Sequence, residues 1–286
     1  MNTFCLVDQT IPERLRTIAD PPHELHIASD NWEDILMRPA VAIVGSRRPS
    51  RYGETITHQL AFELAAAGVV IVSGLAYGVD SIAHRGALDA GGITVAVLPS
   101  SLDYVYPRAH QGLAQKILGQ GGALVTEQPT GEPGVHKHQF VQRNRLISGF
   151  ASITLITEAT LKSGSRHTVD YAADQGRACM VIPGELTNPL AAGPLRLFHE
   201  EGATLITGSA DILSHLKIQS AGAARRSLNA NPDQQSIITL LEAGISSGRD
   251  LLERSGLPPG VYHQAITMLE LSGQIRPLGN DYWAPG

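Results

Sequence analysis

The sequence predicts an α/β protein with a doubly wound, mostly parallel sheet and a small second domain. Three observations carry that prediction. From about residue 40 to residue 215, short apolar runs rich in β-branched residues alternate with amphipathic stretches of helical length. The runs are apolar throughout, not at every second residue, as strands covered by helices on both faces require. Beyond residue 232 the pattern changes to three helical stretches and a short hairpin. The first two features describe an extended Rossmann-like fold, and the third a C-terminal winged helix.

In order, Ala40 to Val44 (AVAIV) reads as a strand that ends in the turn GSRRPS. Tyr52 to Gly68 is predicted as a helix, with Ile56, Leu60, Leu64 and Ala67 on one stripe and Gly68 as its stop. A strand follows at Val69 to Ser73, a helix at Val79 to Gly91 and a third strand at Thr94 to Leu98. The alternation goes on with a helix near Ala109 to Gly119, a strand at Ala123 to Thr126, and a Pro/Gly-rich loop from Gln128 to Gly134. A helix over Gln139 to Gly149, a strand at Ser152 to Thr157, a helix at Ser165 to Gly176 and a strand at Ala178 to Ile182 complete it.

This main domain is expected to span residues 39–216, with residues 1–38 as a lead-in segment packed on it. Residues 217–232 are polar and small, without periodic apolar positions, and are expected to form a linker. Residues 233–286 form the second domain, with helices expected at Asp233 to Ala243, Ser247 to Ser255 and Pro258 to Ser272. A hairpin joins Ile275–Leu278 to Tyr282-Trp283 through Gly279, Asn280 and Asp281.

At 286 residues the chain is long enough to bury a substantial core. Hydrophobic residues make up 43% and charged residues 17%, with no run near the roughly 20 apolar residues that a membrane span needs. The N-terminus lacks the basic and apolar regions of a signal peptide, so a cytoplasmic location without a membrane partner is expected. Cys5 and Cys179 stand far apart and without metal-ligand spacing, and neither a metal nor a cofactor is expected. The net charge is −5. A protein of that charge does not coat nucleic acid through bulk basicity, so any nucleic-acid site must be a local cluster of Lys and Arg.

Four segments carry candidate chemistry. The turn Gly45-Ser46-Arg47-Arg48-Pro49-Ser50 offers backbone N–H groups at a helix N-terminus and two arginines for phosphate oxygens. Its bland counterpart is a tight turn with solvated arginines. It is not the dinucleotide fingerprint, because Arg47 stands where the second glycine would admit the pyrophosphate. Ser73-Gly74-Leu75-Ala76-Tyr77-Gly78-Val79-Asp80 forms a second candidate anion nest, or a turn in which Gly74 and Gly78 serve only the backbone and Asp80 caps the helix. His84 reads as a packed or hydrogen-bonded helix residue.

The third segment, His136 to Arg145, brings Lys137, Arg143 and Arg145 together with two histidines and Phe140. Cations beside an aromatic suit single-stranded nucleic acid, which presents phosphates and stackable bases. Arg143 and Arg145 are two apart and cannot share a helix face, so one is expected to reach the ligand while the other makes an internal ion pair. The fourth segment, Ser163-Gly164-Ser165-Arg166, follows a strand and opens a helix, as a phosphate site or with Ser165 as a plain N-cap.

Read together, VAIVGSRRPSRYG, IVSGLAYGVDSIAHRGAL, LDYVYPR, FVQRNRLISG, LITEATLKSGSRHTVDYA and VIPGELTNPLAAGPLRLFHEEGATLI resemble the DNA-processing protein A family, in the family's order, over most of residues 40–210. The resemblance implies a homodimer that binds single-stranded DNA in a basic pocket and hands it to the RecA recombinase, chiefly in natural transformation, with no catalytic residue. It places Gly45, Ser46 and Arg47 in the phosphate-gripping turn and Arg143, Asn144 and Arg145 in the pocket, with Arg108 and Lys137 as additional cations. Three departures stand out. The N-terminal helical domain of many members is not expected ahead of the lead-in segment, Val141 replaces a common proline, and Arg166-His167 replace a usually apolar pair. The second domain carries few cations, Arg249 and Arg254 among them, so a protein-interaction role is as well supported there as duplex binding.

A competing expectation is a nucleotide sensor or an enzyme. The fold is shared with phosphoribohydrolases, and Glu158 with Asp80 would then serve as acid and base. Against it, the loop after Glu158 lacks the P-G-G-x-G-T-x-x-E segment of those enzymes.

Overall fold

A computed structural model describes residues 2–131, 134–185, 187–218, 231–271, 274–279 and 281–285. The chain divides into two units, Met1–Gln219 and Ser220–Gly286. Most of the expected linker, residues 219–230, lies outside the described residues.

The first unit is built on a nine-stranded sheet. Five strands follow the sequence pattern closely: β3 (Ala40–Val44), β4 (Val70–Ser73), β5 (Thr94–Val97), β6 (Ala123–Thr126) and β7 (Ile153–Ile156). All their residues are buried, which is why their sequences show no alternation. With β8 (Ala178–Val181) and β9 (Thr204–Leu205) they run parallel, in the order β6-β5-β4-β3-β7-β8-β9. The chain begins the parallel sheet in its middle, at β3, builds outward to β6, then returns to β7 on the other side of β3. That reversal leaves a crevice at the carboxyl ends of β3 and β7, the place where open α/β sheets bind ligands.

Residues 2–38 pack Leu15 and Trp32 on this domain and also extend its sheet. β1 (Thr3–Val7) pairs antiparallel with β2 (Glu24–Ala28), and β2 pairs antiparallel with β6. Burial in β1 alternates, so the edge keeps one wet face. Between and after them lie two short helices, α1 (Glu13–Arg16) and α2 (Trp32–Met37).

Helices cover both faces of the sheet. On one side lie α3 (Arg51–Ala66), α4 (Val79–Asp89), α5 (Gln111–Gly119) and α9 (Ser209–His215). Leu60, Leu64, Ala83 and Ile212 pack there on Val41, Ile43, Ile71 and Leu155. On the other side, α1, α2, α6 (Lys137–Phe150), α7 (Arg166–Asp174) and α8 (Ala192–Glu201) set Leu15, Trp32, Leu146, Ile147 and Val169 against Ala42, Val72, Val97 and Val181. No described helix is long and apolar enough to cross a membrane.

The second unit holds α10 (Pro232–Glu242), α11 (Gly248–Ser255), α12 (Pro259–Leu271) and the antiparallel hairpin β10 (Ile275–Gly279) and β11 (Tyr282–Pro285). Of the expected hairpin turn, Asn280 lies outside the described residues. Asn231 caps α10, its side chain accepting from the Gln234 N–H at 2.9 Å while Gln234 returns a bond to the Asn231 N–H. Ile237, Leu241, Leu251, Leu269 and Ile275 form a core of their own.

Candidate nucleic-acid interface

The first turn is fixed from beneath. The Ser46 N–H donates to the Glu158 carbonyl at 2.7 Å, and the Ser46 carbonyl accepts from the Val79 N–H at 3.0 Å. A Cβ at Gly45 would stand 2.7 Å from the Glu158 carbonyl and 2.8 Å from Val79, so only glycine lets the strand end here. The buried carboxylate of Glu158 accepts from the Ser50 N–H at 2.7 Å, the Ser50 hydroxyl at 2.6 Å and Asn188 Nδ2 at 2.8 Å. Ser50 in turn caps α3, its Oγ accepting from the Gly53 N–H at 3.1 Å. The clamp leaves Arg47 and Arg48 exposed on the rim. It also uses both carboxylate oxygens of Glu158, so this residue is a structural anchor for the turn and is not held ready as a general acid or base.

The second turn holds an anion of its own. Asp80, buried at the start of α4, accepts from the Gly74 N–H at 3.2 Å and the Ala76 N–H at 3.4 Å. The nest predicted from Ser73, Gly74 and Gly78 is therefore filled internally and does not await a phosphate. Ser73 is likewise committed, donating to the Ile43 carbonyl at 2.7 Å. Gly78, at φ +74°, lies against the backbone of Ser46 and Arg47 and locks the two turns together.

Arg143 completes this core of charge. Only 6% exposed, it lays its guanidinium over Gly74 and donates from Nη1 to the Gly74 carbonyl at 2.6 Å and to the Val97 carbonyl. Burial pulls its pKa down to about 10, opposed by Asp80, so it stays cationic at neutral pH. Burial pushes the Asp80 carboxyl up, against the pull of Arg143 and of the two backbone N–H groups.

Helical spacing decides which residues of α6 face the crevice. Phe140, Arg143, Asn144 and Ile147 recur at one face and line it. Arg145 points the other way, 3% exposed, with its Nη2 2.6 Å from Glu127 and its Nε 2.8 Å from Asp20. Of the two arginines of that segment, Arg145 is thus the internal ion pair.

The resulting cavity has a volume of about 500 Å3 and lies over the carboxyl ends of β3 and β7. Gly45, Ser46 and Arg47 form one wall, the α6 face the second, and Ser163, Gly164, Ser165 and His167 the third. Asn144 Nδ2 bridges to the Gly164 carbonyl at 3.5 Å. At the mouth, the Arg47 guanidinium sits 5.4 Å from the centre of the Phe140 ring, and Tyr106 packs edge-on against the same ring at 5.5 Å.

Other predicted cations stand elsewhere. Arg108 lies 5.0 Å over the Tyr104 ring, and Lys137 opens α6, both exposed and neither lining the cavity. Arg166 is turned to Glu201 at 2.8 Å and Asp170 at 3.7 Å, outside the cavity wall. Ser165 occupies the N-cap position of α7 without making a cap bond; its Oγ meets Ser163 Oγ at 2.8 Å. Phe140, the aromatic that the sequence sets beside the cations of its segment, lines the cavity, and Asp80, expected as a helix cap or an acid, fills the nest from within. Phe140 stands three residues before Arg143, on one helical face.

The two cysteines are free. The sheet register sets Cys5 opposite His26 and brings Glu24 beside both, a juxtaposition that sequence spacing hides. The Cys5 thiol donates to Glu24 at 3.1 Å and is pushed up to about 11, by burial first and by that carboxylate second, so it is held protonated.

Comparison with known proteins places this arrangement. Residues 2–217 match the family model for DNA recombination-mediator protein A, and residues 221–281 match that for the DprA winged helix domain. Protein Smf of Escherichia coli (strain K12) is 38% identical over 252 residues, covering 85% of this chain and 67% of that protein. The crystal structure of DNA processing protein A from Streptococcus pneumoniae superposes with a TM-score of 0.68 at 37% identity, covering 74% of this chain and 73% of that one. DNA processing protein A from Helicobacter pylori, whose structure was described for its single-stranded DNA binding mode, superposes with a TM-score of 0.67 at 33% identity, covering 75% of this chain and 95% of that one. The matched family model is that of a recombination mediator. The chain belongs to the DprA/Smf family of DNA processing proteins.

Proposed function

We propose that this protein binds single-stranded DNA at the carboxyl edge of its Rossmann-like, doubly wound sheet and delivers it to the RecA recombinase as a cytoplasmic homodimer, without catalysing a reaction. The observation that carries the reading is the pairing of Arg47 with Phe140 at the mouth of the cavity. An exposed guanidinium beside a half-buried aromatic offers one group to a phosphate and the other to a base. Gly45 and Ser46 bring backbone close to the same point, and buried Arg143 supplies a fixed positive charge behind it. The Helicobacter pylori relative, whose structure was described for its single-stranded DNA binding mode, supports the same reading.

A pocket of this kind takes an unstacked strand more readily than a duplex, because stacking on Phe140 needs a base free of its neighbours. The test is fluorescence anisotropy with oligo(dT) and with a duplex of equal length, titrated with salt. Tighter binding of the single strand, weakening as salt rises, is the expected result. Equal affinity for both, or none for either, overturns the reading. Delivery to the recombinase is tested separately, by whether the protein speeds RecA filament growth on strands already coated with a single-strand-binding protein.

A further inference from the structure

A second groove opens on the far side of Arg47. It has a volume of about 820 Å3 and lies along the first halves of α3 and α4, with Arg47, Arg48, Tyr77 and Arg85 in its walls. Arg47 lines both this groove and the cavity against Phe140, so the two spaces meet at that one side chain.

The groove is positive on a protein whose net charge is −5. Arg48 and Arg85 are exposed, and neither meets a carboxylate among the described residues. Of the other titratable groups that the described residues place in the walls, His58 is held by Asp89 at 2.8 Å, His110 is buried, and Glu54 is the one carboxylate. Three arginines therefore face a single acid.

Tyr77 supplies the second ingredient. Its ring is 50% exposed, yet it is held edge-on against His110, with centroids 4.9 Å apart. His110 is itself anchored, its Nδ1 2.7 Å from the Leu75 carbonyl. A ring fixed on one side and open on the other is a stacking platform that loses little side-chain freedom when a base lands on it.

We infer that this groove is a second tract for single-stranded nucleic acid. A strand leaving the Phe140 cavity crosses the Gly45–Ser50 turn at Arg47, lays phosphates along Arg48 and Arg85, and stacks a base on Tyr77. Charge complementarity and continuity with the cavity select this occupant, and the inference rests on the single-strand reading given above.

The test uses the full chain and oligo(dT) of two lengths, roughly six and roughly twenty nucleotides, chosen to bracket common single-strand site sizes. Tyr77→Ala is expected to weaken the long oligomer roughly tenfold and to leave the short one unchanged, with Tyr77→Phe restoring wild-type binding. Arg48→Ala with Arg85→Ala is expected to lower the salt slope for the long oligomer by about 1.4, at about 0.7 for each phosphate contact. Wild-type binding of the long oligomer by these variants, or an equal loss at both lengths, overturns the tract. Failure of the unaltered chain to bind either length is a different result, and removes the cavity reading itself.

Discussion

The guanidinium of Arg143 occupies the space that a side chain at Gly74 would need. A Cβ built on Gly74 would overlap Nη1, Cζ and Nη2 of that guanidinium, and the Gly74 carbonyl is one of the two acceptors that hold the arginine. Residue 74 therefore has to be glycine for steric reasons, since its φ is not in the left-handed region. The same contact makes Arg143 part of the protein's frame as well as of its cavity wall.

Two substitutions follow from that contact. Gly74→Ala forces the arginine out of place and is expected to lower stability by about 1–3 kcal/mol, the usual range for overpacking a filled site. Arg143→Ala removes a buried charge that favours ionised Asp80 and leaves two carbonyls without their donor, for about 1–3 kcal/mol per unsatisfied group. Urea unfolding followed by circular dichroism measures both. An Arg143→Ala protein as stable as wild type would mean that the arginine serves only the ligand.

Arg47 has the opposite character, being exposed and bound to no carboxylate among the described residues. Arg47→Ala is expected to leave the unfolding midpoint unchanged while lowering affinity for oligo(dT) and reducing the salt slope by about 0.7. Phe140→Ala is expected to cost about 1–3 kcal/mol of binding with the slope unaltered, because a stacking contact releases no counterion. Salt titrations of the two variants side by side separate the phosphate contact from the base contact. A fall in slope for Phe140→Ala, or none for Arg47→Ala, would reverse the two roles.

What the sequence made legible divides along physical lines. Strands such as Ala40–Val44 were readable because burial on both faces leaves an uninterrupted apolar run, and α3 because one stripe of it is buried. The β1–β2 pair was not, since an edge strand with one wet face reads as mixed polarity. The Gly45–Ser50 turn was legible as a strand-to-helix junction with arginines. Its dependence on Glu158, 108 residues from Ser50, was not, because nothing local marks a long-range clamp. Likewise, spacing separated Arg143 from Arg145, but only the fold shows that each is buried, one on carbonyls and the other on Glu127 and Asp20.

Arg145 gives a prediction that sequence motifs alone would reverse. It belongs to the RNR segment, yet it is turned away from the cavity and tied to two carboxylates. Arg145→Ala is expected to destabilise the fold by about 3 kcal/mol or more, since it strands half-buried Glu127 beside an empty site. The protein that remains folded, measured below its shifted midpoint, is expected to bind oligo(dT) with wild-type affinity and salt slope. A lost salt increment would return Arg145 to the ligand.

His84 makes the fold sensitive to acid. It is fully buried, its Nδ1 is 2.7 Å from Thr94 Oγ1, and its Nε2 has no hydrogen-bond partner among the described residues. Burial first, then the charges of His110 and Arg143, pull its pKa from 6.5 down to about 3. The folded state thus holds the ring neutral where the unfolded state protonates it. The contribution is complete above about pH 6.5 and is lost as pH falls towards about 3, at about 1.4 kcal/mol per pH unit. Near pH 5 that loss amounts to about 2 kcal/mol. Replacing the ring by a side chain that does not titrate, as in His84→Gln, is expected to cost stability at pH 7.5 through poorer packing, yet to flatten the decline between pH 6.5 and pH 5. Urea midpoints of both proteins across that interval check it: parallel declines would assign the acid sensitivity to other groups.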